Sequence, residues 1–242
     1  MTDNYFLPEG YSINPQGSRE VAANAVFWER KDLRETFQVP VYRLAASLAK
    51  QHGFKSVADF GCGHGVKLRK YVASGDLSAI GIDQKSGIDL ARSAHPEGTW
   101  IEADLATDEA WHDLEASGLN FDLALCVDVI EHVDDPAALL RSFRRLLSKV
   151  GANLLISTPD RSLIEAPRMM GPPHNIRHVR EWTSTEFTQL LKREGFDVQG
   201  QWNFRPRTYQ MPRDAVRTIY RLLQGRDPFD TKHSMAFLVT PR

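Results

Sequence analysis

The segment from Ser56 to Val66 reads S-V-A-D-F-G-C-G-H-G-V and decides how the rest of the chain is interpreted. A short, largely apolar run, Ser56–Phe60, is followed by three alternating glycines in Gly61–Gly65, and a helical pattern begins at Val66. This order predicts a strand, a tight turn and a helix. Glycines there let backbone N–H groups approach a ligand and direct a helix N-terminus at it, although a tight turn also needs glycine for steric reasons alone.

The alternation of strand and helix continues along the chain. Further strands are predicted at Ser78–Ile82, Thr99–Glu102, Phe121–Cys126, Asn153–Ser157, Phe196–Phe204 and Ser234–Thr240, and helices near Ile88–Ala94, Glu109–Ala116, Ala137–Ser148 and from the cap Thr183 to Arg193. Strands separated by helical segments indicate crossover connections and a parallel sheet. We therefore predict an α/β fold, a doubly wound, mostly parallel, seven-stranded Rossmann-like sheet with helices on both faces and an antiparallel last strand.

The chain is expected to fold as one domain, residues 1–242. Amphipathic helices at Val21–Phe27 and Val41–Leu48 precede the sheet, four prolines interrupt positions 159 to 173, and a basic helix is predicted at Arg213–Leu223. The predicted parts are an N-terminal helical cap or lid (1–50), a cofactor-binding core (51–159), a substrate loop insertion (160–182) and the C-terminal part of the sheet with the basic helix inserted (183–242).

Composition excludes several classes of protein. Hydrophobic residues make up 42% and charged residues 25%, as in ordinary globular proteins, and the net charge of −1 favours neither nucleic acid nor an anionic membrane. Cys62 and Cys126 suggest no disulfide framework or zinc site. Residues 1–10 lack the pattern of a secretory signal, and no run reaches the ~20 apolar residues that span a bilayer. We expect a cytoplasmic monomer or homodimer with no nucleic-acid partner and no membrane insertion.

Asp83 ends the predicted second strand about 20 residues after Gly61, where an acidic residue accepts hydrogen bonds from ribose hydroxyls. A solvated carboxylate in a turn is the alternative. The dinucleotide pattern G-x-G-x-x-G would need a small residue at Val66. A nucleoside ligand without a pyrophosphate is therefore favoured over NAD, and an oxidoreductase is disfavoured.

Residues Val57 to Pro159 resemble the class I S-adenosylmethionine-dependent methyltransferases, with four motifs in the family's order. The first motif is Val57–Gly65, and the fourth is Phe121–Pro136, F-D-L-A-L-C-V-D-V-I-E-H-V-D-D-P. The resemblance implies S-adenosylmethionine as the cofactor. The cofactor-binding residues that it implies are Asp59 near the ammonium group, Gly61, Cys62, Gly63 and Gly65 in the turn, Asp83 and Gln84 at the ribose, Asp104 and Leu105 at the adenine, and Cys126 and Val127.

Three histidines are candidates for the general base that removes a hydroxyl proton, since imidazole takes a proton near neutral pH. His178 and His174, in the insertion, are favoured, and His132 in the fourth motif is the third candidate. The segment around His178 can equally brace the sheet. The catalytic assignment therefore stays open among the three.

Asp128, Glu131 and His132 are spaced to share one helix face. They resemble an acidic and histidine cluster with which some relatives that methylate phenolic quinone precursors or RNA 3′ ends bind a divalent ion. The preferred interpretation is packing at a helix start without a metal, with the metal site as the alternative.

The acceptor is the least determined part of the function. Arg213, Arg217 and Arg221 form a predicted positive stripe that suits an anionic acceptor or a subunit contact, unless it is simply solvated. The aromatic segment Tyr5–Tyr11, with Trp28, is interpreted either as a lid over the cofactor or as core packing. The chain start also resembles some bacterial methyltransferases found with surface-glycan enzymes.

We therefore predict methyl transfer to a hydroxyl of a small molecule, sugar or glycan precursor. An N-methyltransferase acting on an amino sugar or small amine is one alternative, and a non-catalytic S-adenosylmethionine-binding partner protein is another. An RNA methyltransferase is disfavoured because the net charge is close to zero.

Overall fold

A computed structural model describes residues 4–15, 17, 38–73, 76–163, 169–204 and 234–242. The predicted helices at Val21–Phe27 and Arg213–Leu223, together with Trp28, lie outside these residues. Both cysteines are buried free thiols. Within the described ranges, no helix combines the length and the apolar character needed to cross a bilayer.

The described residues contain seven strands and six α-helices. The strands are β1 (Ser56–Phe60), β2 (Ser78–Asp83), β3 (Thr99–Glu102), β4 (Leu123–Val127), β5 (Asn153–Pro159), β6 (Phe196–Phe204) and β7 (Ser234–Pro241). The helices are α1 (Val39–His52), α2 (Val66–Tyr71), α3 (Lys85–Ala94), α4 (Asp108–Ala116), α5 (Pro136–Val150) and α6 (Ser184–Arg193).

All seven strands form one sheet in the order β3-β2-β1-β4-β5-β7-β6. The pairs from β3 to β5 are parallel, and β7 runs antiparallel to both β5 and β6. The predicted doubly wound, mostly parallel sheet with an antiparallel last strand is confirmed. β2 lies on one side of β1 and β4 on the other, so the strand order reverses between β1 and β4. In open α/β sheets, ligands bind beyond the carboxyl ends of the strands at such a reversal.

Four strands, β2, β4, β5 and β7, differ from their predicted limits by one or two residues. β4 begins at Leu123, whereas the pattern predicted Phe121. The Asp122 carboxylate accepts the backbone N–H groups of Lys55 and Ser56 at 2.7 and 2.9 Å. Asp122 thus ties the start of β1 to the start of β4 before the ladder begins.

Each face of the sheet has its own core. On one face, the Phe60 ring stacks on Trp111 at 5.7 Å between ring centroids and meets Phe143 edge to face at 5.0 Å, beneath α4 and α5. On the other face, Trp100 packs with side chains of α1, α2 and α3. The predicted helices on both faces are therefore present, and they hold the strand ends at fixed positions.

The N-terminal segment is attached to the insertion that follows β5. The Asn14 side chain donates to the carbonyls of Pro173 and His178, both at 3.1 Å, and its backbone N–H donates to Val179. Trp182 Nε1 donates to the Tyr5 carbonyl at 3.1 Å. Tyr5, Phe6 and Tyr11 are partly buried and pack against the hydrophobic core, which agrees with the second interpretation of Tyr5–Tyr11.

A buried arginine organises the insertion. Arg161 is 2% exposed, donates to both carboxylate oxygens of Glu186, and places its guanidinium 4.9 Å from the centre of the Tyr11 ring. Glu186 also completes the predicted capping box with Thr183 at the start of α6. Because one carboxylate serves both interactions, the insertion and α6 are held together through Glu186.

Candidate active site

The turn between β1 and α2 depends on its glycines. Gly61, Gly63 and Gly65 have φ angles of 86°, 57° and 71°, a region that residues with a Cβ atom rarely adopt. A methyl group on Gly61 would also collide with Val129, and one on Gly65 with the Trp100 ring. Both the backbone conformation and the close approach of neighbours therefore require glycine here.

Asp83 lies at the end of β2, with its carboxylate turned onto the glycine turn. Its Oδ2 accepts the Gly63 N–H at 2.6 Å, and its Oδ1 accepts the Gln84 N–H at 2.7 Å. Burial raises the pKa of Asp83, while the two backbone hydrogen bonds oppose that rise. Asp83, which was predicted to bind the ribose, therefore lies directly beside the glycine turn.

The end of β3 lies beside the end of β2, because the Ala103 N–H donates to the Asp83 carbonyl at 2.9 Å. Asp104 is exposed, and its Oδ1 accepts the Ala106 N–H at 3.0 Å. The Leu105 carbonyl accepts Trp111 Nε1 at 3.0 Å. The structure therefore gathers the predicted ribose and adenine residues along one edge of the sheet.

The sequence interpretation missed three side chains that interact with Asp59 directly or through one another, Tyr42, Lys67 and Gln38. Asp59 is fully buried, and its Oδ2 accepts the Tyr42 hydroxyl at 2.9 Å. Desolvation raises the pKa of Asp59 to about 7, against the hydrogen bond from Tyr42 and the charge of Lys67. Gln38 accepts a hydrogen bond from Lys67 and donates to the Val127 carbonyl at 3.3 Å. In sequence Tyr42 reads only as another apolar position of an amphipathic helix.

At the carboxyl end of β4, which lies beside the end of β1, the backbone rather than the side chains is available to a ligand. The side chains of Cys126 and Val127 are buried in the cores on opposite faces of the sheet. Asp128 follows with a left-handed φ of 53°, and its Oδ1 accepts the Ser157 hydroxyl at 2.7 Å. Strained backbone of this kind clusters at functional sites.

The structure brings His132 and His178 together and leaves His174 exposed. The two rings meet edge to face at 4.8 Å. His132 Nδ1 lies 2.8 Å from the Arg177 carbonyl, which can only accept, so Nδ1 carries the proton and Nε2 the lone pair of the neutral ring. His178 is buried, with Nδ1 on the Glu181 carboxylate and Nε2 2.7 Å from the Asn175 amide nitrogen.

Glu131 lies buried between these histidines. Its Oε2 accepts the Thr158 hydroxyl at 3.1 Å, and its Oε1, 3.9 Å from His178 Nε2, has no hydrogen-bond partner among the described residues. Burial, and then the charge of Asp128, raises the pKa of Glu131 well above its ordinary value.

The cluster differs from the predicted metal alternative in one member. Glu131, His132 and His178 offer ligand atoms within 4.8 Å of one another. Asp128 was predicted as the third member, but its carboxylate is bonded to Ser157. The cluster in the structure therefore contains His178 in addition to the predicted Glu131 and His132.

The sheet order, the glycine turn and the carboxylates at the strand ends define a class I methyltransferase domain, whose cofactor is S-adenosylmethionine, as predicted. A sequence profile described as a methyltransferase domain matches residues 30–201. The chain belongs to this methyltransferase domain family.

Individual proteins agree with the family assignment. The chain is 32% identical over 108 residues to the ubiquinone biosynthesis O-methyltransferase of Pseudomonas paraeruginosa, a match that covers 45% of this chain and 46% of that protein. The chain thus matches about half the length of this curated relative.

Two solved structures show the same fold. The cyclase SpnF has a TM-score of 0.58 at 16% identity, covering 84% of this chain and 81% of SpnF. The magnesium protoporphyrin IX methyltransferase of Synechocystis PCC 6803, with bound SAH, has a TM-score of 0.56 at 16% identity, covering 84% and 83%.

Proposed function

We propose that this chain is an S-adenosylmethionine-dependent O-methyltransferase that methylates a hydroxyl group of a small molecule, sugar or glycan precursor. The observation that carries the proposal is the pair of imidazoles, His132 and His178, beside the carboxyl end of β4. Because β1 and β4 are parallel neighbours, this end lies at the same edge of the sheet as the glycine turn.

The residues at this edge fit the methyl donor. In the proposed complex the backbone of the glycine turn contacts the methionine portion, and Asp83 binds the ribose. Asp59 Oδ1 is a buried acceptor with no hydrogen-bond partner among the described residues, which suits an ammonium group. The remaining residues proposed to bind the donor are Gly61, Cys62, Gly63, Gly65, Gln84, Asp104, Leu105, Cys126 and Val127.

The chemistry asked of the protein is limited. Bound S-adenosylmethionine supplies a methyl group already activated by its sulfonium, so the chain has only to hold the acceptor in line and remove its proton. We assign the base to His132, whose Nε2 carries the lone pair while the Arg177 carbonyl fixes Nδ1. His178 has partners at both ring nitrogens and orders the cluster, and His174 is the alternative base on an exposed part of the insertion.

Several features support a hydroxyl acceptor. A neutral amine already has a free lone pair, whereas a hydroxyl must lose a proton, for which a histidine cluster is suited. The curated relative is an O-methyltransferase by name. In this proposal residues 160–182 form the acceptor loop, residues 51–159 the cofactor core, and 1–242 one cytoplasmic domain, as a monomer or homodimer.

An acceptor screen with a labelled methyl donor tests the proposed function. Phenols, sugars, nucleotide sugars and small amines would be offered in parallel, and label is expected in hydroxyl compounds. Label confined to amines would support the N-methyltransferase alternative. Tight binding of S-adenosylhomocysteine without transfer to any acceptor would support a non-catalytic partner protein.

A second candidate is a cation-assisted form of the same reaction, favoured by the buried Glu131 Oε1 facing two imidazoles. Carboxylate and imidazole suit a divalent ion such as Mn²⁺, and Glu131, His132 and His178 would hold it. Such an ion would make an acceptor oxygen more acidic. The two candidate functions exclude each other at His132, because the lone pair of Nε2 would either accept the proton of the hydroxyl group or bind the ion.

For the cation candidate, a chelator is expected to lower turnover about tenfold or more, and Mn²⁺ to restore it. Mn²⁺ should also raise the thermal unfolding midpoint of the wild type but not of Glu131→Gln. Glu102→Gln, exposed at the end of β3, is the matched control and should keep the response. Full turnover in the chelator removes this candidate.

A further inference from the structure

The buried pair of Tyr42 and Asp59 links the helix before the sheet to the donor edge. Tyr42 is 2% exposed and Asp59 is 0% exposed, and the hydroxyl of Tyr42 donates to Asp59 Oδ2 at 2.9 Å. Asp59 Oδ1 has no hydrogen-bond partner among the described residues. Since a buried polar atom is rarely left unsatisfied, this oxygen is suited to a ligand donor group.

The charges around this pair come from every neighbouring element. Lys67 of α2 favours the ionised form of Asp59, and Asp83 of β2 disfavours it. Two buried thiols, Cys62 and Cys126, also interact with the Asp59 charge, and Asp128 interacts with Tyr42. The Lys67 ammonium also donates a hydrogen bond to the Gln38 side-chain oxygen.

We propose that Tyr42 is a positioning residue for the methyl donor: its hydroxyl holds Asp59 Oδ2 so that Oδ1 receives the donor's ammonium group. This inference rests on the proposed function. The rigid aromatic ring fixes the rotation of the carboxylate, because Tyr42 is itself enclosed by the core formed by α1, α2 and α3. The donor then meets a preoriented carboxylate, which loses little conformational freedom of its own when the ammonium binds.

The arrangement couples donor binding to protonation of Asp59. Burial is the main cause that raises the pKa of this carboxyl to about 7, and the Tyr42 hydrogen bond opposes the rise. An ammonium partner favours the ionised form. Below the pKa the carboxyl must lose its proton before the ammonium binds, so affinity falls as the pH falls. Above it the carboxylate is fully ionised, so affinity no longer changes with pH through Asp59.

Calorimetry with S-adenosylhomocysteine, which carries the same ammonium group, tests the proposal between about pH 5.5 and 9. For the wild type, affinity is expected to rise with pH, with its midpoint near the Asp59 pKa of about 7, and to level off about one pH unit above it. Tyr42→Phe should weaken binding at neutral pH about ten- to hundredfold and move the midpoint of the pH profile upward, because a hydrogen bond to the ionised form is lost. Asp59→Asn, which keeps the shape without the titrating group, should give a flat profile.

Tyr71→Phe is the matched control, since Tyr71 lies on α2 with its ring beneath the Arg43 guanidinium, 5.4 Å away, and should bind as the wild type does. Thermal unfolding of each variant verifies folding. Unchanged affinity in Tyr42→Phe, or weaker binding with an unmoved midpoint, would overturn the inference while leaving the proposed function intact. A wild type that binds no S-adenosylhomocysteine at any pH would overturn both.

Discussion

Replacing His132 with alanine is expected to lower turnover by about 10²–10⁴-fold while S-adenosylhomocysteine binds as tightly as before. The proposed base carries its lone pair at Nε2 because Nδ1 donates to the Arg177 carbonyl at 2.8 Å. The proposed donor residues lie on β1 to β4 and in the turns after the first three strands, whereas His132 follows β4, so the cofactor half of the site is expected to be unaffected by this change. Single-turnover assays and calorimetry separate the two effects.

The other histidines serve as comparisons for this experiment. His112→Ala, on the exposed surface of α4, is the matched control and should retain full turnover. His174→Ala should lose tenfold or less. If His132→Ala retains activity and His174→Ala does not, the base resides on the exposed part of the insertion and the assignment to His132 is wrong.

Replacing Asp83 with alanine is expected to weaken S-adenosylhomocysteine binding by about 10²-fold or more. Each hydrogen bond to a charged group contributes about 1.5–3 kcal/mol, and two ribose hydroxyls depend on this carboxylate in the proposed complex. The same carboxylate fixes the glycine turn through the Gly63 N–H at 2.6 Å, which adds to the loss. Calorimetry at a pH near 7.5 measures the effect.

Asp89→Ala provides the control for Asp83. Asp89 is exposed on α3, where it pairs with Lys85 at 3.0 Å across one helical turn, and such pairs contribute little. Its removal should leave affinity unchanged. Were Asp83→Ala to bind as the wild type does, the ribose assignment would have to be abandoned.

The sequence was most informative where strands are short and bounded by turn residues. β1, β3 and β6 have the predicted limits, because glycine, proline or charged residues end each apolar or alternating run. The position of β7 between β5 and β6 had no local signal, since strand order depends on tertiary packing. The hydrogen bonds of Asp122 before β4 could not be predicted for the same reason, as its partners lie more than sixty residues earlier.

The candidate site divides in the same way. Its cofactor half is built from contiguous motifs, so Gly61 and Asp83 could be named from spacing, and Asp104 from the resemblance to the family. Its acceptor half is formed by residues far apart in the sequence. The Asn14 side chain donates a hydrogen bond to the His178 carbonyl, and the Arg177 carbonyl accepts one from the His132 ring. His178 was read as a base on a loop, yet it is buried against Glu181, a contact that only the fold creates.

The place of β7 in the sheet constrains how this chain folds during synthesis. β6 pairs only with β7 among the strands described, and β7 pairs with β5 on its other side. Until residues 234–241 have left the ribosome, β5 keeps an open edge and β6 has no neighbour. A chain interrupted before residue 234 would therefore expose two unpaired edges and be prone to aggregation, even though every proposed donor-binding residue had already been made.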